Sequence, residues 1–429
     1  MSALGELPDV DLLQQGQVGA HDRIQRLIDR FVELCHTPEN ERRRQYWLLE
    51  DCARDQWHGT PVPGRFREKG AIPFTIDVQY PVWQSLWPMY DLEEVFTEPK
   101  VFLDFQLARR IAQFQWLPED TYLDDDIFVY LGTVFEPSLF GISVHYSHDG
   151  NPAVVPEPVI KSKSDLVGRP IPDFYQSGLM SVAHRMWEEI SDLVGERLNV
   201  RFVEWLRSPL GVAIDIRGFQ NLLLDMLGDP GFFHDILDYV VESQIAWYAD
   251  WSKFLGKQPE GISLFNDEVD GNILSIKHYK ENIFRHEKAL NDAFGLLTYY
   301  HSCGDLTPMM SQIERLPRIR MLDLGPYTDK PGALQALGKE FLFEIRVHPE
   351  RDLLRASRSE MRRVLQRHVT TCEQFGVGAI TMRASGMQPI FPNAWDVIVK
   401  VREWIDEMRS IGKAEESRGG HQRVFRSGE

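Results

Sequence analysis

Eight short apolar runs recur along the chain, and most are followed by a stretch with helical periodicity. They are Ile72–Val78, Ile127–Val134, Val200–Leu206, Ile262–Asn266, Leu296–His301, Ile319–Leu324, Phe341–Val347 and Ala379–Arg383. Runs that are apolar on both faces fit strands covered on both sides of a parallel sheet. Eight of them, alternating with amphipathic helices, predict an α/β fold of the closed (β/α)8 (TIM) barrel type rather than an open doubly wound sheet. An open nucleotide-binding sheet would need a Gly-rich phosphate turn after an early strand, and the sequence has none; it also lacks a P-loop and a His-Glu-x-x-His pair.

Three parts follow from the same pattern. Residues 1–60 read as an N-terminal helical extension: a loose polar tail over 1–20, then helix over 21–58 with Ile24, Leu27, Ile28, Phe31 and Leu34 on one face. Residues 61–412 hold the barrel, and the charged, Gly-rich stretch 413–429 is expected to be a disordered tail. Leu222, Leu223, Met226 and Leu227 open one helix; Asn393 is placed to cap another, with the stripe Val397, Ile398, Val401, Trp404 and Ile405. The segments Pro81–Asp126 and His145–Leu198 exceed ordinary connections and are expected to be insertions over the barrel mouth. Within them, Pro152–Pro172 reads as an extended surface loop, and the Trp83–Trp116 stretch as part of the mouth's rim.

Composition narrows the function classes. The chain has 429 residues, 43% of them hydrophobic, and a formal net charge of −17. One barrel takes ~250 residues, more with insertions. The acidity opposes binding to nucleic acid and to anionic membrane surfaces. Cys35, Cys52, Cys303 and Cys372 are scattered without a disulfide framework, which fits a reducing cytoplasm. Met1–Val18 has no Lys or Arg and no long apolar run, so no signal peptide is expected, and no apolar run is long enough for a membrane span. The oligomeric state is left open, a homodimer included.

Barrel active sites lie at the C-terminal ends of the strands. There the sequence places Asp77, Glu136, Asn266-Asp267-Glu268, Tyr300-His301-Ser302-Cys303-Gly304-Asp305, Asp323, Arg346-Val347-His348 and Arg383-Ala384-Ser385. In His301-Ser302-Cys303-Gly304, residues two apart in an extended chain point to one side, so imidazole and thiolate can grip one borderline-soft cation such as zinc. The competing reading is a hydrogen-bonded core histidine beside a small apolar cysteine. Asp267 and Glu268 can complete a metal site or serve as general acid and base. Arg346 and Arg383 can bind a substrate carboxylate or pair with Asp323 or Glu344. His348 can be a ligand or a loop histidine bonded to backbone.

Several of these stretches resemble the uroporphyrinogen-decarboxylase-like superfamily. They are Leu210-Gly211-Val212 through Asp229-Pro230, Phe265-Asn266-Asp267-Glu268, His301-Ser302-Cys303-Gly304-Asp305-Leu306, Arg346-Val347-His348-Pro349 and Ser385-Gly386-Met387. The resemblance covers roughly residues 60–410, and His-x-Cys-Gly is similar to the zinc and corrinoid methyltransferase branch. It implies a soluble barrel whose zinc is held by His301 and Cys303, with a second Cys near the eighth strand, where Ser385 stands here. The Arg-containing first-strand segment of the true decarboxylase is replaced by Ile72-Pro73-Phe74-Thr75-Ile76-Asp77.

The reading that follows is a zinc-assisted methyltransferase, moving a methyl group from a small methylated, for example methoxy-aromatic, substrate to a cobalamin on a corrinoid partner protein. Its metal ligands are His301, Cys303 and Glu268, its catalytic acids Asp77, Glu136 and Asp267, and its substrate contacts Tyr300, Arg346, His348, Arg383 and Ser385. The alternatives are a cofactor-independent decarboxylase or lyase of a carboxylated substrate, and a non-catalytic barrel subunit.

Overall fold

A computed structural model describes residues 7–47, 53–55, 60–62, 72–337, 341–377 and 380–423. Every one of the eight apolar runs overlaps a strand: β1 (Phe74–Val78), β2 (Asp126–Phe128), β3 (Asn199–Arg201), β4 (Ile262–Phe265), β5 (Leu297–His301), β6 (Ile319–Leu324), β7 (Leu342–Val347) and β8 (Ile380–Met387). Contacts group the chain into two compact units. One comprises Met1–Tyr90, Leu103–Asp125 and Lys330–Glu429; the other Asp91–Phe102 and Asp126–Asp329.

In the first unit β8 runs parallel to both β1 and β7. The register sets Arg346 opposite Arg383 and Phe74 opposite Met382. All five residues of β1 are buried, the polar Thr75 and Asp77 included. The register of β8 slips between Ala384 and Met387, where Gly386 has φ 79°, a conformation that glycine adopts without strain.

The helix His21–Cys35 buries Ile24, Leu27, Ile28, Phe31 and Leu34, as its periodicity predicts. Part of the expected polar tail is ordered too: Val10–Gln14 is a helical turn with Leu13 buried. After the helix Pro38–Trp47, Ala53–Asp55 forms a strand where helix was expected and pairs antiparallel with Thr60–Val62; residues 48–52 and 56–58 lie outside the described residues.

The C-terminal helix spans Trp395–Arg423 and so takes in most of the stretch expected to be a tail. Val397, Ile398, Val401, Trp404 and Ile405 are all buried, and Asn393 Oδ1 accepts from Trp395 N at 3.3 Å. The tryptophans expected at a rim are core instead. Trp83, Trp87 and Trp116 are buried and in ring contact, and Trp116 also meets Trp395. Burying such large apolar surfaces against one another outweighs leaving them at a wet edge.

In the second unit β2 pairs with β3 in parallel. β5 runs parallel to β4 on one side and β6 on the other, with Phe265 opposite His301 and Met321 opposite Tyr299. A parallel bridge from Arg207 to Phe265 joins the segment after β3 to β4. The long segment before β3 holds a short antiparallel pair, Val144–His145 with Ala153–Val154, and the helix Met180–Val194. Leu222 and Met226 face inward from the helix Phe219–Gly228, whereas Leu227 is exposed. Among the described residues no helix is long and apolar enough to cross a membrane.

Candidate metal centre

β4 and β5 are buried along their whole length, so their chemistry begins where each strand ends. Two loops leave side by side and are stitched together. Asn266 N donates to the His301 carbonyl (2.8 Å), Ser302 Oγ to the Val269 carbonyl (3.0 Å), and Gly271 N to the Asp305 carbonyl (2.7 Å). The glycine of His-x-Cys-Gly is required by this approach: a Cβ on Gly304 would lie 2.6 Å from Asp270 Cβ.

His301, Cys303 and Asp267 converge at this place. The alternation of β5 puts Tyr299 and His301 on one side with their rings stacked, and Cys303 follows two residues on. His301 Nε2 lies 3.0 Å from Asp267 Oδ1 and 3.4 Å from Cys303 Sγ. Cys303 N donates to the same Asp267 oxygen at 3.1 Å. One nitrogen, one sulfur and one carboxylate oxygen from these residues lie within 4.8 Å of one another. Behind them His301 Nδ1 hydrogen-bonds Asp323 Oδ2 from β6; Asp323 is fully buried and His301 nearly so. Burial pushes the Asp267 carboxyl up, but the neighbouring His301 charge and the hydrogen bonds from His301 and Cys303 prevail and hold it well below the usual carboxylate range.

The other expected residues of this unit are engaged elsewhere. Glu268, expected as a ligand, turns its carboxylate to Arg207 Nη2 (2.7 Å), which also pairs with Asp215 (3.1 Å). An opposite charge already in contact makes Glu268 the poorer ligand of the two adjacent acids, and Asp267 is the one beside His301 and Cys303. Glu136 is buried and accepts from Leu206 N (2.6 Å) and Arg207 N (3.1 Å), so it fixes the backbone leading to Arg207. Tyr300 points to the opposite side of β5 from His301. Its hydroxyl donates to Glu287 at 3.3 Å, beside Tyr279 (2.6 Å) and Asn266 Nδ2 (2.9 Å) on the same carboxyl. Burial pushes Glu287 up to about 7.

In the first unit Asp77 Oδ2 accepts from Gln79 Nε2 (2.6 Å) and Gly386 N (3.3 Å). Arg346 donates to Ser385 Oγ, and Arg383 pairs with Glu344 at 3.6 Å. His348 caps the turn Pro349–Leu354: its Nδ1 accepts from Arg351 N at 3.2 Å, the loop-histidine arrangement.

Sequence reasoning missed three roles. Asp323 appeared as a strand-end acid and a candidate partner of Arg346 or Arg383, yet its hydrogen bond goes to His301. Glu287 and Arg207 were not singled out at all. A helix-borne acid such as Glu287 carries no local signal, since its partners come from distant positions.

The fold has relatives among known proteins. The uroporphyrinogen decarboxylase (URO-D) family profile matches residues 94–394. A solved methyltransferase from Methanosarcina mazei is similar in fold, with TM-score 0.58 and 14% sequence identity over 80% of this chain and 94% of that one. No curated protein sequence matches.

Proposed function

Because the chain belongs to the uroporphyrinogen decarboxylase family and has its (β/α)8 barrel fold, we propose that it is a zinc-assisted methyltransferase. On this reading it takes a methyl group from a small methylated substrate, such as a methoxy-aromatic, and delivers it to a corrinoid on a partner protein. The observation that carries the reading is the cluster of His301, Cys303 and Asp267, three different donor types within 4.8 Å. A mixed nitrogen, sulfur and oxygen set suits zinc, and three protein ligands leave the fourth position that catalytic zinc sites keep open. The methyltransferase fold of the solved neighbour is in keeping with it.

The residues fit such an ion. His301 Nε2, Cys303 Sγ and an Asp267 oxygen would hold it, and Asp323 backs the imidazole as carboxylates do behind metal-binding histidines. Zinc there supplies a Lewis acid for the methylated oxygen or heteroatom. Asp323 keeps a proton on His301 Nδ1, so that Nε2 is the nitrogen that coordinates. Arg207 keeps Glu268 away from the ligand position and so holds the Asp267 loop in one arrangement.

The test is incubation with free reduced cobalamin and a panel of methoxylated aromatics, methanol and methylamines, read as methylcobalamin by absorbance. Methyl transfer that disappears in His301→Ala supports the proposal. The second reading is a cofactor-independent decarboxylase. It draws on the His301 imidazole lying between two carboxylates, an arrangement suited to protonating a carbanion. Carbon dioxide release that survives chelation and is lost in Arg346→Ala or Arg383→Ala would favour it over methyl transfer.

A further inference from the structure

The first unit contains a cavity that neither the metal cluster nor its neighbours explain. It has about 30 Å³ of free space and is lined by Ile76 and Asp77 of β1 together with Arg109, Gln113, Glu119 and Thr121. That is room for a water or two, or for one compact ion.

Arg109 is 6% exposed and borders this space. A guanidinium has five N–H donors. Among the described residues Arg109 places one hydrogen bond, from Nη2 to Gln106 Oε1 at 2.9 Å, and its buried Nε has no hydrogen-bond partner. The Tyr80 ring lies 5.3 Å from the guanidinium carbon. Among the described residues no carboxylate pairs with Arg109.

The other charges of the cavity are differently placed. Arg110 pairs with Asp124 at 2.9 Å. Asp77 accepts from Gln79 and Gly386. Glu119 accepts from Gln113 Nε2 (3.1 Å), Thr121 N (3.0 Å) and Thr121 Oγ1 (2.6 Å). The acids have their donors, whereas among the described residues Arg109 has the amide oxygen of Gln106 and no carboxylate partner. A buried charge without a directly paired counter-charge is costly, so an anion held on Arg109 would lower a penalty that folding otherwise bears. The two carboxylates in the lining and the small volume select against a dianion such as phosphate.

We propose that this cavity binds a compact monoanion on Arg109, either a free halide or the carboxylate head of a ligand. The unused N–H groups of the guanidinium hold it, and the Tyr80 face closes one side of the cation.

The experiment is thermal unfolding of the full chain in graded sodium chloride or sodium formate. Ionic strength is held constant with gluconate, whose bulk excludes it from the cavity. The expected result is a saturable rise of the midpoint in at least one series, absent in Arg109→Met. Tighter binding of formate than of chloride assigns the site to a carboxylate head; the reverse order assigns it to a halide. Arg109→Lys keeps the charge but not the fork, and should weaken binding roughly tenfold; it also serves if Arg109→Met does not fold. A wild-type midpoint without saturable anion dependence would overturn the proposal. So would an equal response in Arg109→Met, or undiminished affinity in Arg109→Lys.

Discussion

Replacing Glu287 by Gln should change how stability depends on pH, with a sign and a size that the structure sets. Glu287 is buried and accepts from Tyr279, Tyr300 and Asn266, none of them a cation. Burial therefore dominates and lifts its pKa from 4.5 to about 7. Below pH 4.5 the group is protonated whether the chain is folded or not. Between there and about 7 the unfolded chain releases the proton while the folded chain keeps it, so stability falls as pH rises. Above that window both states are ionised and the cost stays constant. A shift of this size corresponds to roughly 3 kcal/mol as a ceiling, at 1.36 kcal/mol per pKa unit.

The amide of the Glu287→Gln variant would be neutral throughout and would keep a carbonyl to accept from Asn266 or Tyr279. Urea unfolding of both proteins from pH 4.5 to 8 isolates the effect. Relative to wild type, the variant should gain stability as pH rises through the window and then level off. Parallel stability curves across that range would refute the reasoning.

Other substitutions test the surroundings of the proposed metal site. Asp323→Asn keeps the shape beside His301 but removes the carboxylate that orients it, and zinc affinity, read by competition with a chromophoric chelator, should fall about 10–100-fold. Arg207→Met leaves Glu268 and Asp215 without the cation they share, which should lower unfolding stability by about 3–5 kcal/mol in denaturant titration. A double variant that also replaces Glu268 by Gln should recover part of that loss, because one uncompensated charge is gone.

The strands were legible in the sequence because burial on both faces imposes an apolar run, and each of the eight runs meets one. The pair His301 and Cys303 was legible for a similarly local reason, since alternation alone brings residues two apart to one side. The choice between Asp267 and Glu268 was not. It turns on Arg207, which lies 61 residues from Glu268 in sequence and reaches it only through the bridge beside β4. His348 and the tryptophans between Trp83 and Trp116 show the converse: reactive or amphipathic side chains that local structure and packing absorb. The strand Ala53–Asp55 was read as helix because so short a segment carries no clear period of its own.

Metal content tests the central claim most directly. Elemental analysis of the purified wild-type chain, prepared without chelators, is compared with Cys303→Ser. Cys303 is exposed at the end of β5, so its replacement removes a donor without opening the core. The account predicts about one zinc per wild-type chain, as a site with three protein ligands implies. It predicts little or none in Cys303→Ser, with the unfolding midpoint of the metal-free protein unchanged. A wild-type chain without stoichiometric metal, or a Cys303→Ser variant that retains as much zinc as wild type, would contradict it.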